Sequence, residues 1–228
     1  MDIGKAISYV FNDERWVTKV LLGGLIIAIP ILNFAVTGYV LKTARNVAYG
    51  NPQPLPEWGE DFGDTFMRGV HGFVISLVYA IPLIIVALLL VCIVAIAFGG
   101  SEETTAAFEL ILNCIVSPLI SIGGYITLLF VYAAYARYIT SNYTLSEALK
   151  IGEVISTVRS KPSPWLILLL VYFVSSLVVP FGLIACLIGV FFVAFIAQCV
   201  PAHILGQIIA QQGAVSTYTP DMPGYDPS

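Results

Sequence analysis

PWLILLLVYFVSSLVVPFGLIACLIGVFFVAFIAQCVPAHILGQ, residues 164–207, is the stretch that decides the fold, and it contains no Asp, Glu, Lys or Arg. About 20 apolar residues in a helix cross a bilayer, and this stretch has about twice that length. Its centre carries Pro180, Phe181 and Gly182, and such a Pro-x-Gly sequence is typical of a helix end followed by a turn. The stretch therefore predicts a transmembrane helical hairpin.

The composition of the whole chain also indicates an integral membrane protein. Hydrophobic residues make up 58% of the sequence and charged residues 11%, with a mean hydropathy of +0.92, whereas soluble domains carry about 25% charged residues. We therefore predict one transmembrane helical domain over residues 1–210. Residues 211–228 are polar and contain three prolines, which predicts a disordered tail. The net charge of −4 argues against nucleic acid as a partner.

The other apolar stretches extend this all-α, polytopic prediction. Residues 69–98 and 106–136 are predicted membrane helices, each with a proline inside, which membrane helices tolerate. Residues 17–49 are too long for one upright span, and Pro30 lies near their middle. They are either a shallow, re-entrant hairpin of two short arms or one long tilted helix. The first alternative, which we favour, gives six membrane arms, and the second gives five spans.

Three amphipathic segments precede the three pairs of apolar arms and suggest a repeated unit. These segments are residues 2–12, 57–68 and 143–160, and they are predicted to lie in the membrane interface. In the third segment, Thr144 and Glu147 have the spacing of a capping box. Its apolar side chains are expected to face the membrane; they are Leu145, Leu149, Val154 and Val158.

The distribution of basic residues supports three hairpins over five spans. With three hairpins all ten Lys and Arg residues fall on one side, whereas the turn at residues 99–105 on the other side is acidic. Because basic loops stay in the cytoplasm, this pattern predicts that both termini are cytoplasmic.

The sequence carries no pattern of catalytic or metal-binding residues. The centres of the spans lack the ionisable groups that mark ion and proton pathways. Serine-elbow, zinc-protease and phosphate-loop motifs are absent from the sequence. His71 and His203 have no nearby carboxylates, so they make a poor metal site, and the four cysteines form no CxxC pair. We therefore expect a protein without enzymatic activity, cofactor or metal.

Polar residues inside the apolar stretches are the candidate functional positions. Such side chains form hydrogen bonds between helices in packed bundles, or line a substrate path in transporters. A scaffold would pair them between helices, and a transporter would gather them around a cavity at mid-membrane. The candidates are Asn33, Asn113, Ser117, Ser175, Gln198 and His203.

Two functional hypotheses fit these observations. The first is a non-enzymatic membrane scaffold or accessory subunit, whose partners are the lipid bilayer and other membrane proteins or further copies of the chain. The second is a transporter or channel for a small, weakly polar or lipidic substrate.

Several local patterns together resemble a known family. They are GYVLKTARNVAYGN (38–51), LPEWGEDFGDTFMRG (55–69), VYAIP (78–82), LSEALKIGEVI (145–155) and AHILGQ (202–207). Over roughly residues 3–210 the chain resembles the prokaryotic membrane family catalogued as domain of unknown function 4013. The resemblance implies a multi-span protein of a prokaryotic cell membrane. It implies no activity, and the AHILGQ pattern implies a structural contact for His203.

Overall fold

The computed structural model describes residues 1–98, 102–184 and 188–213, and every regular element in these ranges is helical. A π-helical turn, Leu112–Val116, joins α5 to α6, and a 3-10 turn, Val179–Ile184, follows α9. The helices are α1 (Ile3–Ser8), α2 (Trp16–Ala28), α3 (Asn33–Ala48), α4 (Phe62–Phe98), α5 (Glu102–Ile111), α6 (Ser117–Thr140), α7 (Leu145–Ala148), α8 (Ile151–Ser160), α9 (Pro162–Val178) and α10 (Gly189–Gln211). Most of the predicted tail, from residue 214 onward, and Cys186 lie outside the described residues.

In the described ranges, four helical segments are long and apolar enough to cross a membrane. They are Phe62–Ala97, Ala106–Thr140, Pro162–Ile184 and Gly189–Gln211. The last two form the predicted hairpin, and residues 180–182 lie in the 3-10 turn after α9. The predicted polytopic helical class is therefore confirmed.

The first apolar stretch is two helices, so the five-span alternative with one helix over residues 17–49 is wrong. The helix ends at Ala28 because Ile29, the residue before Pro30, adopts an extended backbone with φ −103° and ψ 110°. The two helices have 13 and 16 residues, or about 20 and 24 Å at 1.5 Å per residue. Both are shorter than the hydrocarbon core of about 30 Å, as expected for a shallow pair.

Helix α3 lies at the centre of the fold, with α4 on one side and α10 on the other. Gly38 on α3 faces the backbone carbonyl of Thr65 on α4, and Gly69 on α4 faces the carbonyl of Phe34 on α3. Gly206 on α10 is similarly close to α3. Small residues allow such contact between helix backbones.

The loop before α4 packs into the core and does not form the predicted second interfacial helix. Residues 57–61 are not helical, and α4 begins only at Phe62 and continues into the span without a break. The Trp58 ring is buried and stacks on Tyr39, with ring centroids 4.3 Å apart. Its Nε1 donates a hydrogen bond of 3.0 Å to the carbonyl of Lys19. Because the indole is buried between α2 and α3, the loop that carries it does not continue the α4 helix toward its N-terminus.

The third amphipathic segment is two helices, α7 and α8, and its apolar side faces the protein. Val154 and Val158 are buried in the main core, and Leu145 and Leu149 pack against it. The prediction that these four side chains face the membrane is therefore wrong.

The predicted capping box is also wrong. Thr144 precedes α7, but its hydroxyl donates to the carbonyl of Ser141 at 2.7 Å. The Glu147 carboxylate instead accepts hydrogen bonds from Lys150 and Arg137. The Lys150 ammonium, together with Arg137, holds the pKa of Glu147 below its usual value. The capping hydrogen bond does not form here, because two cations stabilise a carboxylate more than one backbone N–H does.

Basic residues of α3 and α4 meet around the ring of Tyr143 at one end of the fold. The guanidinium carbons of Arg45 on α3 and Arg68 on α4 lie 5.0 and 3.5 Å from the ring centre of Tyr143, which follows α6. Lys42 and Arg68 both pair with Asp64. These contacts bring the basic ends of α3, α4 and α6 together, as the three-hairpin arrangement predicts.

The contact between α3 and α4 predicts a large effect of a single methyl group. We expect Gly38→Ala to destabilise the protein by about 1–3 kcal/mol or more, because the new Cβ would overlap a backbone carbonyl that cannot move independently. The measurement is thermal unfolding of the purified protein in detergent. Gly124→Ala is the matched control, because a Cβ at Gly124 meets nothing within 4 Å. Equal melting temperatures for the two variants would contradict the close backbone contact.

Candidate functional site

The predicted polar positions are spread over the molecule. Asn33, Asn113 and Ser117 are exposed, whereas Ser175 on α9 and Gln198 on α10 are half-buried. Only His203 is buried. The described residues do not bring the other five together with His203 in one cavity.

Asn113 and Ser117 lie at the π-helical turn. The N–H of Ser117 bonds to the carbonyl of Leu112, five residues earlier, immediately before Pro118, which has no N–H to donate. The Asn113 amide donates to the carbonyl of Glu109 at 2.9 Å, and the Ser121 hydroxyl donates to that of Ser117 at 2.9 Å. These polar side chains therefore bond within their own helix, and the described residues show no bond from Asn113 to a second helix.

A cavity with a volume of about 610 Å³ lies at the charged end of the molecule. This volume falls within the range of small-molecule sites. Three parts of the chain form it: the N-terminal segment, the loop after α3, and the last turns of α10. The side chains that line it are Asp2, Lys5, Tyr9, Asn12, Asp13, Val47, Asn51, Pro52, Gln53, Pro54, His203, Gln207 and Ala210, together with Gly50.

A hydrogen-bonded chain of three residues joins the two ends of the protein in one wall of this cavity. The Gln207 Oε1 accepts from the backbone N–H of Asp2 at 2.7 Å, and its Nε2 donates to the Asp2 carbonyl at 2.9 Å. The same Nε2 lies 2.9 Å from Nδ1 of His203. Because the amide nitrogen can only donate, Nδ1 accepts and the imidazole proton is on Nε2.

Tyr9 supports the His203 ring from the side of α1. The two ring centroids are 4.6 Å apart, and the Tyr9 hydroxyl donates to the carbonyl of Cys199 at 2.8 Å. Burial raises the pKa of Tyr9 well above its usual value, so the phenol remains a hydrogen-bond donor at neutral pH.

A pair of buried charges borders the cavity. The Lys19 ammonium lies 2.7 Å from the Asp13 carboxylate and 3.0 Å from that of Glu57, and it also donates to the carbonyl of Leu55. Lys19 and Asp13 are 3% and 5% exposed, so each depends on the other for compensation of its charge. Lys19 is shared between two carboxylates, and the Arg15 guanidinium lies 3.8 Å from the second of them, Glu57. The formal charges of Asp13 and Glu57 are thus balanced by Lys19 and Arg15 together.

Sequence reasoning found His203 but missed the cavity. Residues 2–12 are predicted to lie in the membrane interface, and Ile3, Ile7 and Phe11 in this segment are exposed. Val10 in the same segment is instead fully buried. The signal that was available is the i, i+3, i+7 spacing of Asp2, Lys5 and Tyr9, which places them on a second helical face.

Comparison with known proteins identifies the family. The family described as protein of unknown function, DUF4013, matches residues 21–188, and the chain belongs to it. The match is narrower than the range over which the sequence patterns resemble the family, and it excludes α1 and the AHILGQ residues. No curated protein and no solved structure matches the chain. The protein is thus a multi-helix member of an uncharacterised family, with helices suited to a membrane.

The link between the chain ends predicts a local effect of one glutamine. We expect Gln207→Ala to release the N-terminal segment, because it removes both hydrogen bonds to Asp2 and leaves His203 Nδ1 without its donor. Amide hydrogen exchange in residues 3–9 should become roughly ten-fold faster or more, as expected for a loss of about 1.4 kcal/mol. Gln211→Ala is the control, since Gln211 is an exposed glutamine one turn further along the same helix. Equal exchange in the two variants would show that Gln207 does not hold α1.

Proposed function

We propose that this chain is a non-enzymatic scaffold or accessory subunit of a membrane protein complex. We further propose that it is a multi-pass protein of a prokaryotic cell membrane with both termini in the cytoplasm. Its proposed partners are the lipid bilayer and other membrane proteins or further copies of the chain.

The observation that carries this proposal is an exposed polar face on a poorly buried span. Asn113, Ser117 and Ser121 recur every four residues and are all exposed. The spans differ in the buried share of their most apolar 18 residues. It is 6% for the span that contains α4 and 11% for the span from α5 to α6, whereas it is 56% for α10. Of the four apolar segments in the described ranges, those of α4 and α5–α6 therefore have the smallest buried share; the share is 17% in the segment that contains α9.

Polar side chains in membrane helices normally face protein and not lipid. The second N–H and the carbonyl oxygen of the Asn113 amide have no bond in the described part of the chain. A helix from another subunit would satisfy both groups, and interhelical bonds of this kind contribute about 0.6–2 kcal/mol each. The scaffold hypothesis predicts hydrogen bonds between polar side chains of different helices. For Asn113, the second helix would belong to the partner protein.

The proposed orientation and lack of catalysis rest on the sequence together with the position of the charges. The basic ends of α3, α4 and α6 lie together, and basic ends remain cytoplasmic. No catalytic motif occurs in the sequence.

Transport of a small substrate is the second candidate, and the cavity of about 610 Å³ favours it. The position of the cavity weighs against it, because the walls come from the charged end of the fold and not from the middle of the spans. A transport path needs polar groups from several helices near the bilayer midplane, and Asn113 and Ser117 face outward instead.

Photo-cross-linking in native membranes tests the scaffold proposal. A photoreactive residue at position 113 should give one discrete, higher-mass product, because this face is expected to contact a partner helix. The matched control is position 170 on α9, where Leu170 is 59% exposed but lies among apolar residues suited to lipid. We expect no product from position 170.

Asn113→Leu should reduce recovery of the cross-linked partner about three-fold or more when a second probe is placed at position 110. The variant should keep wild-type abundance and melting temperature, because Asn113 has no bond to another described helix. Absence of a protein product at position 113, with lipid adducts only, would contradict the scaffold proposal.

A further inference from the structure

We propose that the cavity at the charged end of the fold is a binding site for a phosphate group whose ester substituent carries hydroxyl groups. The phosphate would accept hydrogen bonds from the Lys5 ammonium and the Nε2–H of His203. The hydroxyl groups would donate to the carboxylate of Asp2 at the rim. This proposal does not depend on the scaffold function, because it concerns different residues at a different end of the molecule.

The cavity is a built site with rigid walls. Tyr9, Asp13 and His203 all line it, and they are only 5%, 5% and 3% exposed. The hydrogen bonds of His203 to Gln207 and of Tyr9 to Cys199 fix both rings. A site whose donors are already oriented loses little conformational entropy when a ligand binds.

The donors that remain free in the cavity suit an oxyanion. His203 Nδ1 is occupied by Gln207, so the free edge of the ring presents Nε2–H. Within the described ranges the Lys5 ammonium forms no ion pair. Asp2 is close in sequence, but its Oδ1 accepts a hydrogen bond from the backbone N–H of Lys5 and not from the ammonium. Asp13 belongs to a cluster in which Lys19 and Arg15 balance the formal charges of Asp13 and Glu57. The Lys5 ammonium and the Nε2–H of His203 therefore favour a ligand group that is anionic and accepts hydrogen bonds.

The surroundings of the cavity suggest where the phosphate comes from. Ile3, Ile7 and Phe11 are 43%, 52% and 46% exposed on the neighbouring face of the same segment. An amphipathic segment of this kind lies at the boundary between headgroups and acyl chains. A phospholipid could place its headgroup in the cavity and its chains along these residues. A soluble phosphate ester would offer the same headgroup chemistry without the chains.

Native mass spectrometry of the full chain in detergent tests the proposal with two probes. The probes are phosphatidylglycerol and glycerol 3-phosphate, which share a glycerol phosphate group and differ in acyl chains. We expect the wild-type protein to retain at least one of them. We expect Lys5→Gln to weaken its binding about ten-fold, which is the effect of losing one charge-assisted hydrogen bond. Lys5→Arg should restore most of the binding.

Lys161→Gln is the matched control, because it removes the same charge from an exposed lysine that does not line the cavity. Binding of phosphatidylglycerol alone would support a lipid site, and binding of glycerol 3-phosphate would support a site for a soluble ester. Lack of binding to both probes would overturn the proposal. An equal loss in Lys5→Gln and Lys161→Gln, at unchanged melting temperature, would also overturn it by showing attraction to general surface charge.

Discussion

The close approach of α3 and α4 at Gly38 and Gly69 is the contact on which the other contacts depend. Each glycine faces a backbone carbonyl of the opposite helix, so the two helices touch through their main chains and not through side chains. This contact fixes how far the loop after α3 must reach before α4 begins. It thereby places Trp58 over Tyr39 and brings Arg45 and Arg68 to the two sides of Tyr143. Small residues at a helix crossing are the usual means of such packing in membranes, where the hydrophobic effect gives no force between helices.

The membrane architecture was predictable from the sequence because a single physical rule governs it. Backbone polar groups in hydrocarbon must be satisfied within the segment, so long apolar runs become helices whatever their detailed sequence. Proline then marks the breaks: Pro30 and Pro180 each lie at the end of a helix. Pro82 and Pro118 do not break their spans, and at Pro118 a π-helical turn accommodates the missing N–H.

The details at the polar end were not predictable from local patterns. Trp58, Phe62 and Phe66 have helical spacing, but α4 begins only at Phe62. The Trp58 ring instead stacks on Tyr39 of α3. Thr144 and Glu147 have the spacing of a capping box, but the carboxylate pairs with Arg137, which precedes it in the chain. Periodicity predicts that a helix has an apolar face, and it does not tell whether protein or lipid covers that face. The same limit applies to Asn113, whose outward direction no sequence pattern could give. The cavity was missed because its walls are far apart in sequence, and His203 was the single cavity residue among the predicted functional positions.

The hydrogen bonds between Asp2 and Gln207 join residues 205 positions apart, and this separation has a consequence for biosynthesis. During translation Asp2 is made well before Gln207, the side chain to which it is bonded. Until α10 is inserted, α1 has neither Gln207 nor the carbonyl of Cys199 as a partner. These contacts of the N-terminal segment can therefore form only after α10 has been synthesised and placed against α1.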